Sequence, residues 1–157
     1  MGAATTLVSG PTRLADPPGV AVVAIESARQ MLDACKAALP VDVAVCAAAV
    51  ADWRVDNAAG NKLKKKGGKP PALELIENPD ILAALAAAGN ARPRLVVGFA
   101  AETEQVVENA RAKLKKKGCD WIVANDVSPA TGTFGGDRNT VHIVSAGGVE
   151  DWPAMSK

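Results

Sequence analysis

Residues 43–54 read VAVCAAAVADWR, and residues 61–69 that follow soon after read NKLKKKGGK. The apolar run Val43–Val50 is typical of a buried β-strand, and it leads through very small side chains to the carboxylate of Asp52. Ligands of open α/β sheets bind at the carboxyl ends of the strands. Small side chains there let a ligand approach the backbone, and the lysines of 62–69 add positive charge that suits phosphates. We therefore predict a nucleoside triphosphate site in this segment.

The bulk composition suits a small-molecule enzyme better than a protein that binds polyanions. The chain has 157 residues and a net charge of +1, with 48% hydrophobic and 3% aromatic residues. It is long enough for one domain with an aliphatic core. Its charge gives no overall attraction to nucleic acid or to an anionic membrane, and no apolar run approaches the ~20 residues of a membrane helix. Three widely spaced cysteines and a single histidine, His142, predict free thiols in a cytoplasmic protein rather than a zinc site.

Strand-like and helix-like segments alternate along the chain, which predicts parallel βαβ units. The expected fold class is α/β, with a Rossmann-like, doubly wound, mostly parallel sheet in three layers, as a single domain over residues 1–157. Strands are expected at Thr5–Ser9, Val20–Ile25 (buried), Val43–Val50, Leu73–Ile76 (an edge), Arg94–Phe99, Asp120–Ala124 and Val141–Val144. Helices are expected from Glu26 to Leu39, Asn78 to Ala88 and Thr103 to Lys117, with loops at Asp52–Pro71 and Thr131–Arg138 and a frayed end from Glu150 to Lys157. Because Met1 directly precedes what reads as a second strand, we expect the opening strand–turn–helix unit of such folds to be missing.

A helix start at residues 78–80 offers a place for an anion. Asn78 suits a capping position, Pro79 the first helical position and Asp80 the helix dipole. Backbone N–H groups at a helix start can cradle a phosphate. Since every helix has an N-terminus, a purely structural role is the alternative for this segment.

Further candidates lie on the elements that follow. Lys113 and Lys117 share a helix face and could contact phosphates, or could form a solvated basic face. Phe99, at the expected end of a strand, could stack on a base or pack in the core. Asn125 and Asp126 follow the next strand and are interpreted as turn residues.

Several familiar catalytic motifs are absent from the sequence. It contains no Walker A motif and no GxGxxG fingerprint, and the glycines of 132–136 follow no strand-to-helix pattern. His142 lies within an expected strand, so we interpret it as a packed or surface residue rather than a member of a Ser-His-Asp triad.

Six short segments occur in a specific order along the chain. They are LVSGP at 7–11, AAVADWR at 48–54, KLKK at 62–65, NPDI at 78–81, VGFAAET at 97–103 and ANDV at 124–127. Together they resemble the phosphopantothenoylcysteine synthetase family, the ligase half of the bifunctional bacterial coenzyme A protein. The resemblance implies a Rossmann-like homodimer that uses CTP and Mg²⁺ to convert the carboxylate of 4′-phosphopantothenate into an acyl-cytidylate. The amine of cysteine then attacks it. FMN would belong to the decarboxylase half, which this chain lacks.

The same resemblance assigns roles to individual residues. It implies that Lys62 is catalytic and acts on CTP and the acyl-cytidylate from a mobile lid, while the Mg²⁺ ligands stay open. The implied nucleotide-binding set is Cys46, Ala47, Ala48, Asp52, Lys62, Pro79, Asp80, Ile81, Leu82, Phe99, Lys113 and Lys117. The family's glycine-rich segment and an asparagine that holds the acyl-cytidylate should precede Thr5. We therefore expect an N-terminally truncated ligase domain with impaired turnover.

Two functions of other classes remain open at this stage. A nicotinamide oxidoreductase would need a glycine fingerprint, which the sequence lacks. A non-catalytic fragment that retains the dimer surface would bind no CTP.

Overall fold

A mixed β-sheet with helices packed on it forms the framework of the protein. The computed structural model describes residues 2–56, 72–133 and 136–156. Its strands are β1 (Thr6–Ser9), β2 (Ala21–Ala24), β3 (Val43–Cys46), β4 (Trp53–Val55), β5 (Leu75–Glu77), β6 (Leu95–Glu102), β7 (Trp121–Asp126), β8 (Arg138–Ser145) and β9 (Gly148–Ser156). Its helices are α1 (Ala28–Ala37), α2 (Ile81–Ala86) and α3 (Val106–Lys117), with 3-10 turns at Gly89–Ala91 and Pro129–Thr131.

The main sheet has the strand order β3-β6-β7-β8-β9. Strands β3, β6 and β7 are parallel, and β8 and β9 continue the sheet in antiparallel fashion. Among the described residues, β1 and β2 pair in a separate parallel sheet, and β4 and β5 form an antiparallel ladder. The prediction of a mostly parallel, three-layer α/β fold is confirmed.

Two apolar clusters hold these layers together. The larger cluster surrounds β6 and β7, where Val96 and Ile122 are fully buried and α3 contributes Ala110. The smaller one joins Met31 of α1 to Ile81 and Leu85 of α2, and Val8 of β1 and Ala44 of β3 pack against it. The helix layer therefore connects the β1–β2 pair to the main sheet.

Several predicted boundaries are corrected by the structure. The strand predicted over Val43–Val50 ends at Cys46, and the strand predicted to end at Phe99 continues to Glu102. The helix predicted from Thr103 begins at Val106, and it ends as expected before Gly118, whose φ is +66°. Three further elements have other bounds than predicted, and the structure places them at Trp121–Asp126 (strand), Ile81–Ala86 (helix) and Ala28–Ala37 (first helix).

Three larger differences concern strands. The expected loop after Asp52 contains β4, which pairs with β5, the predicted edge strand. The segment expected to fray from Glu150 is part of β9, because it pairs with β8 along most of its length. Strand β2 is mostly exposed rather than buried, since it pairs with β1 instead of entering the main sheet.

No described helix combines the length and the apolar character that crossing a bilayer requires.

Candidate functional site

The carboxyl ends of β3, β6 and β7 define one edge of the main sheet. In register, Cys46 lies beside Gly98, and Asp126 lies beside Glu102. Because β8 runs antiparallel to β7, its first residues lie at this same edge. Ligands of parallel α/β sheets bind at such an edge. We refer to it below as the carboxyl edge.

Cys46, Ala47 and Ala48 lie where a ligand could reach the backbone. Cys46 ends β3, and the two alanines follow it with exposed side chains. Burial, with a smaller contribution from the neighbouring thiols of Cys35 and Cys119, raises the pKa of Cys46 to about 11. The thiol is therefore protonated at neutral pH, and it packs against both apolar clusters rather than acting as a nucleophile. Among the described residues all three cysteines are free, as predicted.

Asp52 is held in place through its backbone. The Asn78 N–H donates to the Asp52 carbonyl at 2.7 Å, and Asn78 Nδ2 donates to the Ala51 carbonyl at 2.8 Å. The prediction that Asn78 caps the helix is wrong, because its side chain fastens the chain before β4 to the start of α2. Arg54 donates to the Glu77 carbonyl across the β4–β5 ladder. The Asp52 side chain is exposed at the surface.

The start of α2 brings together two residues that were predicted separately. Asp80 is the N-cap, and its carboxylate accepts from the Ala83 N–H at 3.0 Å. It also pairs with the Lys117 ammonium from the end of α3. Burial opposes ionisation of Asp80, but the contacts with Lys117 and Ala83 outweigh it and lower its pKa. Pro79 precedes the cap, so the prediction that it occupies the first helical position is also wrong.

Ile81 and Leu82 are core residues by their side chains. Both are 8% exposed, and a Cβ on Gly98 would lie 2.5 Å from Leu82 Cδ2. Any contact of these residues with a ligand would therefore come from the backbone N–H groups of the first helical turn.

Lys113 lies on the helix face predicted for it, whereas Phe99 lies at another position along its strand than predicted. Lys113 and Lys117 are half-buried, whereas Lys115 and Lys116 between them are exposed, so the predicted pair lies on the packed side of α3. Phe99 is 39% exposed within β6, three residues before the strand ends. An exposed ring on a central strand is available for stacking, although it does not lie at the strand end as predicted.

Lys62 and the rest of the 62–69 run lie outside the described residues.

Sequence reasoning overlooked a cavity of about 240 Å³ between the end of β7 and the start of β8. It is lined by Asp126, Thr131, Thr133, Arg138, Asn139, Thr140, His142 and Ala154. His142 lies in β8, as expected, and its Nδ1 is 2.6 Å from Asp151 Oδ1. The position of Asp126 at the carboxyl end of a predicted strand was a signal for this cavity, but it was interpreted as a turn.

The fit of Mg²⁺ depends on the donors available. Among the described residues, no group of three or more His, Cys, Asp or Glu side chains converges on a metal position. Mg²⁺ is commonly bound through one or two carboxylates together with substrate phosphates and water. Exposed carboxylates such as that of Asp52 fit this mode, with the triphosphate supplying the remaining oxygens.

The chain is similar in sequence to a known protein family and to curated proteins. The model of the family described as "DNA/pantothenate metabolism flavoprotein C-terminal domain" matches residues 1–157. The chain is 43% identical over 145 residues to the coenzyme A biosynthesis bifunctional protein CoaBC of Escherichia coli strain K12, covering 90% of this chain and 36% of that protein. It is 44% identical over 159 residues to CoaBC of Mycobacterium tuberculosis strain H37Rv, covering 95% of this chain and 38% of that protein. The chain thus spans little more than a third of these relatives.

Solved structures give the same picture of the fold. The crystal structure of the C-terminal domain of a CoaBC protein superposes with a TM-score of 0.70 at 36% identity, covering 94% of this chain and 64% of that one. The DNA/pantothenate metabolism flavoprotein from Streptococcus pneumoniae superposes with a TM-score of 0.71, covering 94% of this chain and 73% of that one. At 17% identity the second likeness concerns the fold alone.

Proposed function

Because this chain belongs to the family of DNA/pantothenate metabolism flavoprotein C-terminal domains, we propose that it is the ligase part of a coenzyme A biosynthesis enzyme. The reaction we propose is the CTP-dependent joining of 4′-phosphopantothenate to cysteine. The observation that carries the proposal is the match of the whole chain to this family together with a carboxyl edge suited to a nucleotide. Three features support it: the small residues after β3, the exposed Phe99 ring, and the start of α2, where Lys117 pairs with the N-cap.

The chemistry proposed for this site is acyl activation. A carboxylate oxygen of 4′-phosphopantothenate attacks the α-phosphorus of CTP, forming an acyl-cytidylate and releasing pyrophosphate. The neutral amine of cysteine then attacks the acyl carbon, forming the amide and releasing CMP and one proton. No protein nucleophile is required. The main demand on the protein is to neutralise and orient two anions that must approach each other.

The proposed residue roles follow from charge and position. Lys62 and Lys113 would offset the charge of the triphosphate, and Asp52 with the backbone after β3 would bind the cytidine. Lys117 would serve both Asp80 and the phosphates, because its ammonium has three donors. Bound Mg²⁺ would supply further neutralisation of the phosphate oxygens. FMN would act in the decarboxylase half of the bifunctional relatives and has no role here.

We further propose that the protein is a cytoplasmic homodimer that acts on small molecules rather than on nucleic acid. The near-neutral net charge of +1 supports the second point. Sedimentation velocity would test the first, with a mass near twice 16.0 kDa as the expected result.

Isothermal titration of the chain with CTP and with ATP, each with Mg²⁺, tests the proposed function. We expect CTP to bind at least about tenfold more tightly than ATP, a difference of about 1.4 kcal/mol. Asp52→Asn should weaken CTP binding, whereas Asp16→Asn, in the exposed loop between β1 and β2, should leave it unchanged. Equal affinity for both nucleotides, or binding of NADH instead, would contradict the proposal.

The role of Lys62 is tested by turnover. In a ligase assay of the intact bifunctional protein, Lys62→Ala should remove most of the rate, about 100-fold or more, because a positioned cation is lost from the transition state. Lys115→Ala, on the exposed side of α3, is the matched control. A Lys62→Ala protein with the wild-type rate would remove this lysine from the mechanism.

A further inference from the structure

The cavity between β7 and β8 has a wall that is built by specific hydrogen bonds. The backbone carbonyl of Asp126 accepts from Thr133 Oγ1 at 2.9 Å and from Thr131 Oγ1 at 3.2 Å. Asn125 Nδ2 donates to Asn139 Oδ1 at 3.2 Å, which joins the end of β7 to the start of β8. These contacts order the chain around the opening. These hydrogen bonds hold the described residues on one side of the cavity in place.

Two of the residues that line the cavity, Asp126 and Arg138, have opposite charges. The Ser128 N–H donates to Asp126 Oδ1 at 2.7 Å, and this hydrogen bond lowers the pKa of Asp126, so the carboxylate is ionised at neutral pH. Arg138 Nη2 donates to the Ala154 carbonyl at 2.6 Å, which holds the guanidinium at the opposite strand. One such bond uses only part of the five N–H donors of a guanidinium. A carboxylate and a guanidinium on one small cavity match a ligand that is itself positive at one end and negative at the other.

The volume of the cavity suits a small ligand. Sites for drug-sized molecules usually measure roughly 300–1,000 Å³, and this cavity of about 240 Å³ is smaller. A free phosphate or a triphosphate is also disfavoured, because the Asp126 carboxylate would repel it.

We propose that this cavity binds the α-amino acid acceptor of the ligation, with Asp126 receiving the ammonium group and Arg138 the carboxylate. The identity of the acceptor as cysteine rests on the proposed function, whereas the preference for a zwitterion rests on the cavity alone. Asp126 ends β7 beside Glu102, and Cys46 ends β3 beside Gly98, so the cavity and the candidate nucleotide site both lie on the carboxyl side of the sheet.

Titration of the ¹⁵N-labelled chain with four probes, followed by amide chemical shifts under reducing conditions, tests the proposal. L-cysteine has both charged groups, cysteamine lacks the carboxylate, 3-mercaptopropionate lacks the ammonium, and inorganic phosphate has neither. We expect L-cysteine to bind in the millimolar range and to shift the amides of Asn139 and Thr140. Cysteamine and 3-mercaptopropionate should each bind at least about tenfold more weakly.

Two substitutions separate the two charge contacts. Asp126→Asn keeps an acceptor for the Ser128 N–H, so the loop should persist while L-cysteine binding falls about tenfold. Arg138→Gln should have a similar effect on L-cysteine and little effect on cysteamine. Arg111→Gln, on the exposed side of α3, is the control and should bind as the wild type does.

Three outcomes would overturn the proposal: cysteamine binding as tightly as L-cysteine, phosphate shifting the same amides, or no shift with L-cysteine in either the presence or the absence of CTP. Failure of the proposed function has a different signature. An intact bifunctional protein that binds L-cysteine in this cavity but binds no CTP would keep the amino acid site and lose the ligase assignment.

Discussion

Gly98 shows at the level of single residues how the core sets the position of the candidate site. A Cβ at this position would lie 2.5 Å from Leu82 Cδ2 and 2.9 Å from Ile122 Cδ1, and both contacts are too close. Gly98 also pairs with Cys46, the last residue of β3. The absence of a side chain therefore lets α2 pack against β6 at the depth that places Asp80 near Cys46.

Gly98→Ala should destabilise the fold, because overpacking of a filled core costs about 1–3 kcal/mol. The change is measured as a lower midpoint in urea. If the cause is the clash with Leu82, the double variant Gly98→Ala/Leu82→Ala should lose less stability than the sum of the two single variants. Strict additivity would argue against this contact as the cause.

Element α2 depends on its N-cap residue, Asp80, more than on its length. It has six residues, too few to be stable alone in water. The Asp80 cap fixes its start, the Lys117 pair holds it to α3, and Ile81 and Leu85 bury its apolar side. The helix start is thus a product of tertiary contacts as much as of local sequence.

Asp80→Ala should therefore cost about 1 kcal/mol through loss of the cap. Asp80→Asn retains a capping oxygen and removes only the charge, so it should cost less than Asp80→Ala. Urea denaturation of the three proteins side by side checks the order. Equal losses in the two variants would mean that the ion pair, rather than the cap, holds the helix.

At the scale of elements, the sequence predicted most of the strands and helices. It failed where contacts between distant parts of the chain determine the structure. Helical periodicity and Gly118 located α3, and the small residues after β3 located the carboxyl edge. Local signals did not reveal that Asn78 fastens the chain before β4, since its partners lie 25 and 27 residues away. The residues of the cavity were overlooked for the same reason, because Asp126 and Arg138 line one cavity only after β8 turns back along β7.

At the scale of the whole molecule, two ion-paired carboxylates, Asp80 and Asp120, link stability to pH, in addition to Asp126, whose pKa is lowered by the hydrogen bond from the Ser128 N–H. The pKa of Asp120 is lowered because hydrogen bonds from Arg92 and the Val96 N–H outweigh its burial, and that of Asp80 is lowered similarly by Lys117 and Ala83. Arg92 Nη2 lies 3.0 and 3.1 Å from the two Asp120 oxygens. Groups with lowered pKa stabilise the fold above their ordinary value of 3.8 and lose this effect as the pH falls through the lowered value.

We therefore expect the urea midpoint to fall steadily between about pH 5 and pH 2. The double variant Asp80→Asn/Asp120→Asn should start lower at pH 7 and show a shallower dependence over the same range. Circular dichroism in a pH series measures both curves. Parallel curves for the two proteins would remove these carboxylates as the source of the acid sensitivity.

Strand β9 ends the main sheet, and its outer edge has consequences for how molecules of this protein meet in concentrated solution. An exposed edge strand of nine residues could template further strands and so lead to aggregation. Pro153 interrupts the row of backbone donors, the register shifts between Asn139 and Val141, and Glu150 and Asp151 add negative charge along the strand. Each of these features discourages edge-to-edge stacking. The irregular end of the sheet therefore opposes its growth by edge-to-edge pairing.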